Sequence, residues 1–212
     1  RCIVSDAGSC KSTISEIADS LSLDRFVGGH PMAGSEKKGV DYARADLFVG
    51  ATYFLTPTAR TDTGALSSVE QLTKSLGAVP VVLSPEQHDG IVAATSHLPH
   101  LVAASLMKLL LEATSREPLT RKGMATGLRD VTRTASGDVE MWRDIYISNR
   151  KHILKVLDSF ATICAEARAL LEKGDASALA EWLTEARRFR EDVYGSQPPR
   201  SAAAARGSEV EP

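Results

Sequence analysis

The side chains that could take part in chemistry are few, and they fall into a small number of stretches. The first stretch is GGHPMAGSEKKG, residues 28–39, in which His30 stands between a diglycine and a proline. A turn needs glycine and proline but has no use for a titratable imidazole, so this ring invites a functional interpretation. The turn DAGS and the stretches ATSHLPHLVAAS, GLRDVTR and MWRD supply the other candidates, which are Ser9, Ser96, His97, His100, Asp130, Thr132, Arg133 and Trp142.

Each candidate also has an ordinary structural explanation when it is taken alone. A single histidine among small apolar residues is usually a hydrogen-bonded structural group. An arginine such as Arg133 is more often an ion-pair partner than a ligand clamp, and Trp142 alone favours a place in the core. The case for a site therefore depends on whether the fold brings these residues together.

A metal site is the least favoured interpretation of the paired histidines. His97 and His100 are three residues apart and could share one face of a helix. However, Pro99 interrupts that turn, no third ligand follows at a familiar spacing, and no H-E-x-x-H pattern is present. We therefore expect no bound metal ion.

Residues 1–83 predict an α/β layer. Strand-like and helical patterns alternate along them, and the predicted elements are a strand at Cys2–Val4, a helix at 11–21, strands at 25–29 and 51–58, a helix at 65–78 and a strand at 79–83. Ser9 and His30 are each expected in a loop after a strand. Because ligands gather outside the carboxyl ends of strands in an open α/β sheet, these two side chains should face one crevice.

Residues 84–195 predict an all-helical region with no strand. Ser84 is a suitable N-cap before Pro85, which the first turn of a helix tolerates. A long apolar stripe follows over residues 153–170, and Asp175 is placed to cap the next helix. A helical region could complete a cleft against the α/β layer, which is a common place for a small-molecule site. Residues 196–212 lack apolar anchors and predict a disordered tail.

The composition is that of an ordinary soluble globular protein. The 212 residues are 43% apolar and 25% charged, with a formal net charge of -2, so there is no basic surplus to bind nucleic acid or an anionic membrane. No apolar run reaches the ~18 residues of a membrane span. The three cysteines show no metal spacing and fit a reducing cytoplasm. Because the chain starts at Arg1, inside a strand-like segment, we expect it to be a fragment.

Five blocks give the chain a family resemblance. DAGSCK, GGHPMAGSEKKG, SHLPH, RDVTR and MWRDI follow one another in this order, and together they closely resemble the prephenate dehydrogenase family, which includes the arogenate dehydrogenases. The resemblance covers residues 1 to about 190. It implies that residues 1–83 are the C-terminal portion of a Rossmann-type dinucleotide-binding domain and that residues 84–195 are an all-helical substrate and dimerisation domain. The expected fold class is therefore α/β followed by all-α, in a homodimer.

The resemblance also implies a reaction, the oxidative decarboxylation of prephenate to 4-hydroxyphenylpyruvate in tyrosine biosynthesis, with NAD or NADP as hydride acceptor. His30 corresponds to the catalytic histidine that removes a proton from the ring hydroxyl, a task that suits imidazole without large tuning. Ser9 corresponds to a serine that hydrogen-bonds between this histidine, the substrate hydroxyl and the nicotinamide region. Asp6, from the same turn, is assigned with Ser9 to the cofactor side.

The substrate side of the site is implied in the same way. Arg133 corresponds to an arginine that binds a substrate carboxylate, for which a guanidinium fork is suited. The remaining implied roles are His100 beside the pyruvyl side chain, Ser96 on the pocket wall, Glu36 pairing with the arginine, Asp130 behind Arg133, Trp142 as a wall, and Ser35 in the choice of substrate. His97 is left as a structural residue.

One family feature is absent from the sequence, the G-x-G-x-x-G fingerprint that binds the pyrophosphate of the cofactor. The choice between NAD and NADP is therefore open. Two alternative functions stay open as well. Arogenate dehydrogenase differs only by an amino group in the substrate, and a non-catalytic helical dimerisation module would retain site residues without using them.

Overall fold

The computed structural model describes residues 2–34 and 39–195 of the chain. Its N-terminal part is a four-stranded mixed sheet in the order β1-β2-β3-β4, with β1 parallel to β2, β2 antiparallel to β3, and β3 parallel to β4. The strands are β1 (Val4–Ser5), β2 (Phe26–Pro31), β3 (Thr52–Pro57) and β4 (Val79–Val82), and the helices between them are α1 (Ser12–Ser20) and α2 (Thr63–Ser75).

The second strand extends further than the sequence predicted, and this changes the place of the histidine. His30 was expected in a loop, but it lies within β2, where it pairs with Phe54 of β3. The strand continues because antiparallel pairing with β3 supplies partners up to its last residue, Pro31, a terminal position where a proline is tolerated. The catalytic candidate is therefore held by a sheet and not by a turn.

The diglycine before His30 is required by close packing. A Cβ atom on Gly28 would lie 2.3 Å from the Thr56 hydroxyl, and one on Gly29 would lie 2.6 Å from the carbonyl oxygen of Asp6. The Gly29 amide also donates to the Asp6 carboxylate at 3.0 Å. Gly28 lets β2 pack closely on β3, and Gly29 lets β2 approach the turn after β1, so that the two segments carrying Ser9 and His30 lie side by side.

The core of the α/β part lies where α2 packs on the middle of the sheet. Val27, Leu55, Ala65 and Val69 form this buried cluster. The helix begins at Thr63, two residues before the predicted start, because the Asp62 side chain accepts a hydrogen bond from the Ala65 amide at 2.9 Å and caps it. The sheet is thereby packed on one face by a single well-capped helix.

The chain after the sheet is helical, so the predicted class, α/β followed by all-α, is confirmed. The helices are α3 (Pro85–Val92), α4 (Leu98–Arg116), α5 (Thr126–Thr132), α6 (Val139–Ser148), α7 (Arg150–Lys173) and α8 (Ala176–Tyr194). Ser84 caps α3 through a capping box with Gln87, as the sequence predicted for this position. No strand occurs between residues 85 and 194.

The junction between α3 and α4 is a five-residue π-helical turn, Ala93–His97, and not the interruption that Pro99 suggested. Pro99 lies in the first turn of α4, where its missing N–H costs nothing. The wider π turn before Pro99 leaves room for the pyrrolidine ring beside the preceding carbonyl groups. By length and composition the combined helix Pro85–Arg116 could cross a membrane, a property that core helices of soluble proteins share. It contains the buried residues His88 and Asp89.

The chain divides into two compact units, Arg1–Asp158 and Ser159–Pro212. The sheet and helices α1 to α6 belong to the first unit. The sequence-based division after residue 83 remains a prediction, since α3 packs on both α1 and β3. In the second unit Asp175 caps α8 by accepting from the Ala178 amide at 3.0 Å, as predicted. The predicted tail, residues 196–212, lies outside the described residues.

Candidate active site

A cavity of about 480 Å³ opens in the first unit at the carboxyl ends of β1 and β2. Because these two strands are parallel, the turn after β1 and the end of β2 meet at one edge of the sheet, which brings Ser9 beside His30. The sequence-predicted residues that line the cavity are Ser9, His30, Ser96, Arg133 and Trp142. The predicted crevice thus contains a hydroxyl group, an imidazole and a guanidinium group.

The helical residues reach the cavity through tight local turns. Arg133 begins a short 3-10 helix, Arg133–Ser136, directly after α5. A Cβ atom on Gly137 would lie 2.3 Å from Nε1 of Trp142, so this glycine allows the indole to pack against the turn. Asp138 then caps α6 by accepting from the Met141 amide at 2.8 Å, which places Trp142 in the first turn of that helix.

Three predicted residues of the described ranges do not line the cavity, namely Asp6, His100 and Asp130. His100 lies behind the indole, stacked on Trp142 with the ring centroids 3.6 Å apart, and its Nδ1 is 2.5 Å from the Tyr146 hydroxyl. Its Nε2 atom is buried and has no hydrogen-bond partner among the described residues. Asp130 was expected to support Arg133, but its carboxylate is exposed and lies 4.0 Å from Arg129. Ser35 and Glu36 fall outside the described residues.

His97, which the sequence-based hypothesis left structural, does line the cavity. The side-chain amide of Asn149 donates to Nδ1 of His97 at 3.1 Å and to the carbonyl oxygen of Asp89 at 2.8 Å. An amide nitrogen can only donate, so Nδ1 of His97 is the acceptor and the ring proton is on Nε2. Burial lowers the pKa of His97 from 6.5 to about 4, which keeps this ring neutral.

The turn after β1 is shaped by a buried lysine. The Asp6 carboxylate contacts the ammonium group of Lys11, and it accepts from the Gly8 amide at 2.9 Å and from the Gly29 amide at 3.0 Å. Lys11 is fully buried, so its charge needs this partner. Asp6 therefore orders the turn that carries Ser9, and its assignment to the cofactor side stays a prediction.

The sequence analysis missed two residues that lie behind His30, of which His88 contacts it directly. Nδ1 of His30 lies 2.8 Å from Nε2 of His88, and Nδ1 of His88 lies 2.8 Å from Oδ1 of Asp89. Both residues of this His-Asp pair are buried in α3, His88 fully and Asp89 nearly so. A signal was present, because positions 88 and 89 share the buried face of α3 with Val92, and polar residues on such a face need partners.

Electrostatics keep His30 neutral near pH 7. Burial lowers its pKa from 6.5 to about 4, and electrostatic interactions with His88 and Lys11 act in the same direction, against a smaller opposite effect of Asp6. This shift is larger than the sequence-based hypothesis expected. A neutral imidazole is the form that can accept a proton.

The part of a dinucleotide that this site could hold is its nicotinamide end. The Ser9 hydroxyl lines the cavity, and it has no hydrogen bond within residues 2–34 and 39–195, so it can bind a ligand group. The pyrophosphate end requires glycine-rich backbone that this sequence does not contain. Within the described ranges, no group of three or more His, Cys, Asp or Glu side chains could hold a metal ion.

Comparisons with known proteins show which family the chain resembles. Residues 1–89 match the family model described as prephenate dehydrogenase, nucleotide-binding domain, and residues 84–185 match the model described as prephenate dehydrogenase, dimerization domain. A prephenate dehydrogenase of Bacillus subtilis is 40% identical over 90% of this chain and 52% of its own length. A cyclohexadienyl dehydrogenase of Zymomonas mobilis is 35% identical over 89% of this chain and 65% of its own length.

Solved structures show the same similarity. Prephenate dehydrogenase from Aquifex aeolicus, solved in complex with hydroxyphenyl propionate and NAD+, superimposes with a TM-score of 0.86 at 35% identity, over 91% of this chain and 67% of that one. The arogenate dehydrogenase of Synechocystis has a TM-score of 0.81 at 31% identity, over 91% of this chain and 69% of that one. The chain spans about half the length of the first curated relative. On the two family models and these relatives, the chain belongs to the prephenate dehydrogenase family.

Proposed function

We propose that this chain forms the substrate side and the catalytic base of a prephenate dehydrogenase, an NAD- or NADP-dependent oxidoreductase of tyrosine biosynthesis. The observation that carries the proposal is the shared cavity, which places a neutral imidazole and a guanidinium group in about 480 Å³. That volume suits a small ring compound. Prephenate has a ring hydroxyl that the imidazole can deprotonate and two carboxylates, one of which can pair with the guanidinium group.

The chemistry assigned to His30 is one proton transfer. Its Nε2 atom takes the proton of the C4 hydroxyl while the C4–H bond breaks, so that a carbonyl group forms on the ring. A bound nicotinamide supplies the hydride acceptor. The ring carboxylate then leaves as carbon dioxide, its bonding electrons make the ring aromatic, and the proton on His30 returns to the phenolate oxygen. The products are 4-hydroxyphenylpyruvate, carbon dioxide and reduced nicotinamide.

The other side chains of the cavity bind and orient the substrate. Arg133 pairs with a carboxylate, and the indole of Trp142 walls the ring and keeps water away from it. The hydroxyl groups of Ser9 and Ser96 are available as hydrogen-bond partners for the substrate hydroxyl and side chain. His100, Glu36 and Ser35 keep the roles that the family resemblance implies as predictions.

Replacement of the base tests the proposal. In the complete polypeptide that carries this sequence, we expect His30→Asn to lower kcat by about 10²- to 10⁴-fold with little change in KM, because only the proton transfer is lost. Turnover is measured as reduced nicotinamide formed from prephenate, with NAD and NADP compared. The matched control is His152→Asn, in a histidine of α7 that lies near Glu86. If His30→Asn turns over like the control, His30 is not the base.

Arogenate is the second candidate substrate. It differs from prephenate by an amino group in place of the keto group, and its hydroxyl, hydride and carboxylate would meet the same side chains of the cavity. The similarity to an arogenate dehydrogenase and to a cyclohexadienyl dehydrogenase favours testing it. Parallel assays with both substrates decide the preference, and absence of turnover with either would favour a non-catalytic module.

A second copy of the chain is the proposed partner. Apolar residues along the helices of the second unit are exposed, among them Ile163 (47%), Leu171 (66%) and Leu183 (54%). Surfaces of this kind mark interfaces. We expect a dimer in sedimentation at micromolar concentration, and a monomer alone would contradict this assignment.

A further inference from the structure

We propose that His88 and Asp89 are positioning residues, which hold His30 in the tautomer whose proton is on Nδ1 and whose lone pair, on Nε2, is available in the cavity. The inference rests on the proposed function, since it concerns how the base of that reaction is prepared. Three side chains in series carry it, with 2.8 Å between His30 and His88 and 2.8 Å between His88 and Asp89.

Asp89 determines which atom donates and which accepts in the hydrogen-bonded series His30–His88–Asp89. Its Oδ1 accepts from the Lys11 amide and its Oδ2 accepts from the Ser12 amide, each at 2.8 Å. Burial alone would raise the pKa of Asp89, but the hydrogen bonds from His88 and from these amides outweigh it and lower the pKa to about 2. The carboxylate is therefore ionised and can only accept, so Nδ1 of His88 must be the donor.

The remaining protons follow from that first assignment together with one premise, that the His88 ring carries a single proton. A neutral imidazole with its proton on Nδ1 has a lone pair on Nε2, so Nε2 of His88 is an acceptor. Its neighbour at 2.8 Å, Nδ1 of His30, must then donate. Nε2 of His30 is left with a lone pair and has no hydrogen bond among residues that the structure describes. It is the atom that can receive the substrate proton.

The same contacts fix the orientation of the ring. His88 is fully buried, with its ring centroid 5.0 Å from that of His30 and 5.5 Å from that of Phe54 on β3. Asp89 is held by the amino end of α1 and, through its own carbonyl oxygen, by Asn149. A sheet and two helices thus determine where the lone pair of His30 points.

The hydrogen bond to His88 is also compatible with the protonated state of His30. The charged groups that face His30 are Lys11 and Asp6 beside the β1 turn, His88 on α3 and His97 on the π turn. Lys11 opposes an imidazolium at His30, and Asp6 favours one. When His30 takes a proton at Nε2, its Nδ1–H still donates to His88, and the carboxylate of Asp89 stands behind His88. The hydrogen bond from His30 to His88 is therefore kept before and after proton transfer, and it orients the ring as a buried acid orients a catalytic histidine.

Two substitutions at His88 separate a hydrogen-bonding role from a packing role. Glutamine can place an acceptor oxygen near the position of Nε2, whereas methionine has a similar length and only a weak acceptor. In the complete polypeptide we expect His88→Met to lower kcat by about 10- to 100-fold, part of what the base contributes, with KM within about threefold of wild type. His88→Gln should recover kcat to within about threefold of wild type.

A direct measurement of the tautomer accompanies the kinetics. The complete polypeptide is labelled with ¹⁵N-histidine, and the long-range ¹H–¹⁵N couplings of each ring show which nitrogen carries the proton. His30→Asn identifies the signal of His30. We expect that signal to report a proton on Nδ1 in the wild type and a mixture of tautomers in His88→Met.

The outcomes are separable. A wild-type His30 protonated on Nε2, a His88→Met enzyme with wild-type kcat, or a His88→Gln enzyme as slow as His88→Met would each overturn the inference. If the wild type oxidises neither prephenate nor arogenate, the proposed function fails, while the tautomer measurement still decides whether the series of hydrogen bonds exists. If His88→Met does not fold, the wild-type tautomer decides.

Discussion

Gly29→Ala is the substitution that most directly tests how the α/β part positions the base. A Cβ atom at residue 29 would lie 2.6 Å from the backbone carbonyl oxygen of Asp6, where ordinary contact begins at 3.4 Å, and 3.0 Å from the Tyr53 ring. The closest obstacle is backbone and not the flexible end of a side chain. One of the two segments must therefore move by roughly 0.8 Å, the difference between those two distances.

The loss of stability in Gly29→Ala follows from the contacts that hold β2 and the turn after β1 together. The Gly29 amide donates to the Asp6 carboxylate, and residue 29 pairs with Leu55 of β3, so neither segment can move alone. Overpacking typically costs about 1–3 kcal/mol, and we expect the upper end here because backbone is involved. His30 is the next residue of the strand and shifts with it. A misplacement of about 1 Å at a reacting group can cost about 100-fold, so we expect kcat to fall about 10- to 100-fold.

The assay compares two alanine substitutions in the complete polypeptide. Gly127 lies in α5, and a Cβ atom there would meet nothing within 4 Å, so Gly127→Ala should be neutral or should stabilise by up to about 1 kcal/mol through helix propensity. Denaturant midpoints followed by circular dichroism give the stability difference, and turnover gives kcat. A Gly29→Ala protein within about 0.5 kcal/mol of Gly127→Ala would refute the argument from close packing.

The remaining predictions concern the base and the arginine. Because the pKa of His30 is lowered from 6.5 to about 4, kcat/KM should stay level from pH 7 to well below 6.5 and fall as the pH passes through about 4. A fall centred at 6.5 in a protein that is still folded would contradict the burial argument. The free energy of unfolding should fall over the same pH range. Between pH 6.5 and about 4 the unfolded chain binds a proton at His30 that the folded protein does not, so acidification favours unfolding. Arg133→Ala should raise KM for prephenate about 10-fold or more through loss of a charge-assisted pair, with a smaller effect on kcat. Arg129→Ala, beside Asp130 and outside the cavity, is the matched control, and equal KM values in the two variants would remove Arg133 from the site.

Local patterns in the sequence were enough for most of the helices and their caps. Ser84 and Asp175 were identified as caps because a helix start needs a short polar side chain at one defined position, and both cap their helices. The length of β2 could not be predicted in this way. Its last residues are extended because β3, more than 20 residues further on, pairs with them, and no local pattern encodes that partner.

The residues of the candidate site show the same difference between local patterns and tertiary contacts. Ser9, His30, Ser96, Arg133 and Trp142 were found because family blocks mark them, and the fold gathers them at one cavity. His88 and Asp89, which lie behind His30, were not found, and His88 contacts His30 across 58 positions of sequence. His100 was identified from its block, but its place behind the indole of Trp142 was not, because it depends on how two helices pack. Contacts of this kind depend on tertiary structure, which a single sequence does not display.

The carboxylate of Asp89 has a consequence for anyone who builds hybrid proteins from this family. Residues 84–89 match both family models, and within them Asp89 accepts from the amides at the start of α1 while its neighbour His88 contacts His30. A chimera spliced after residue 83 would take the base from one parent and its support from the other. A splice after residue 89 keeps α1, β2 and the His-Asp pair from a single parent, so recombination of the two halves is better tolerated there.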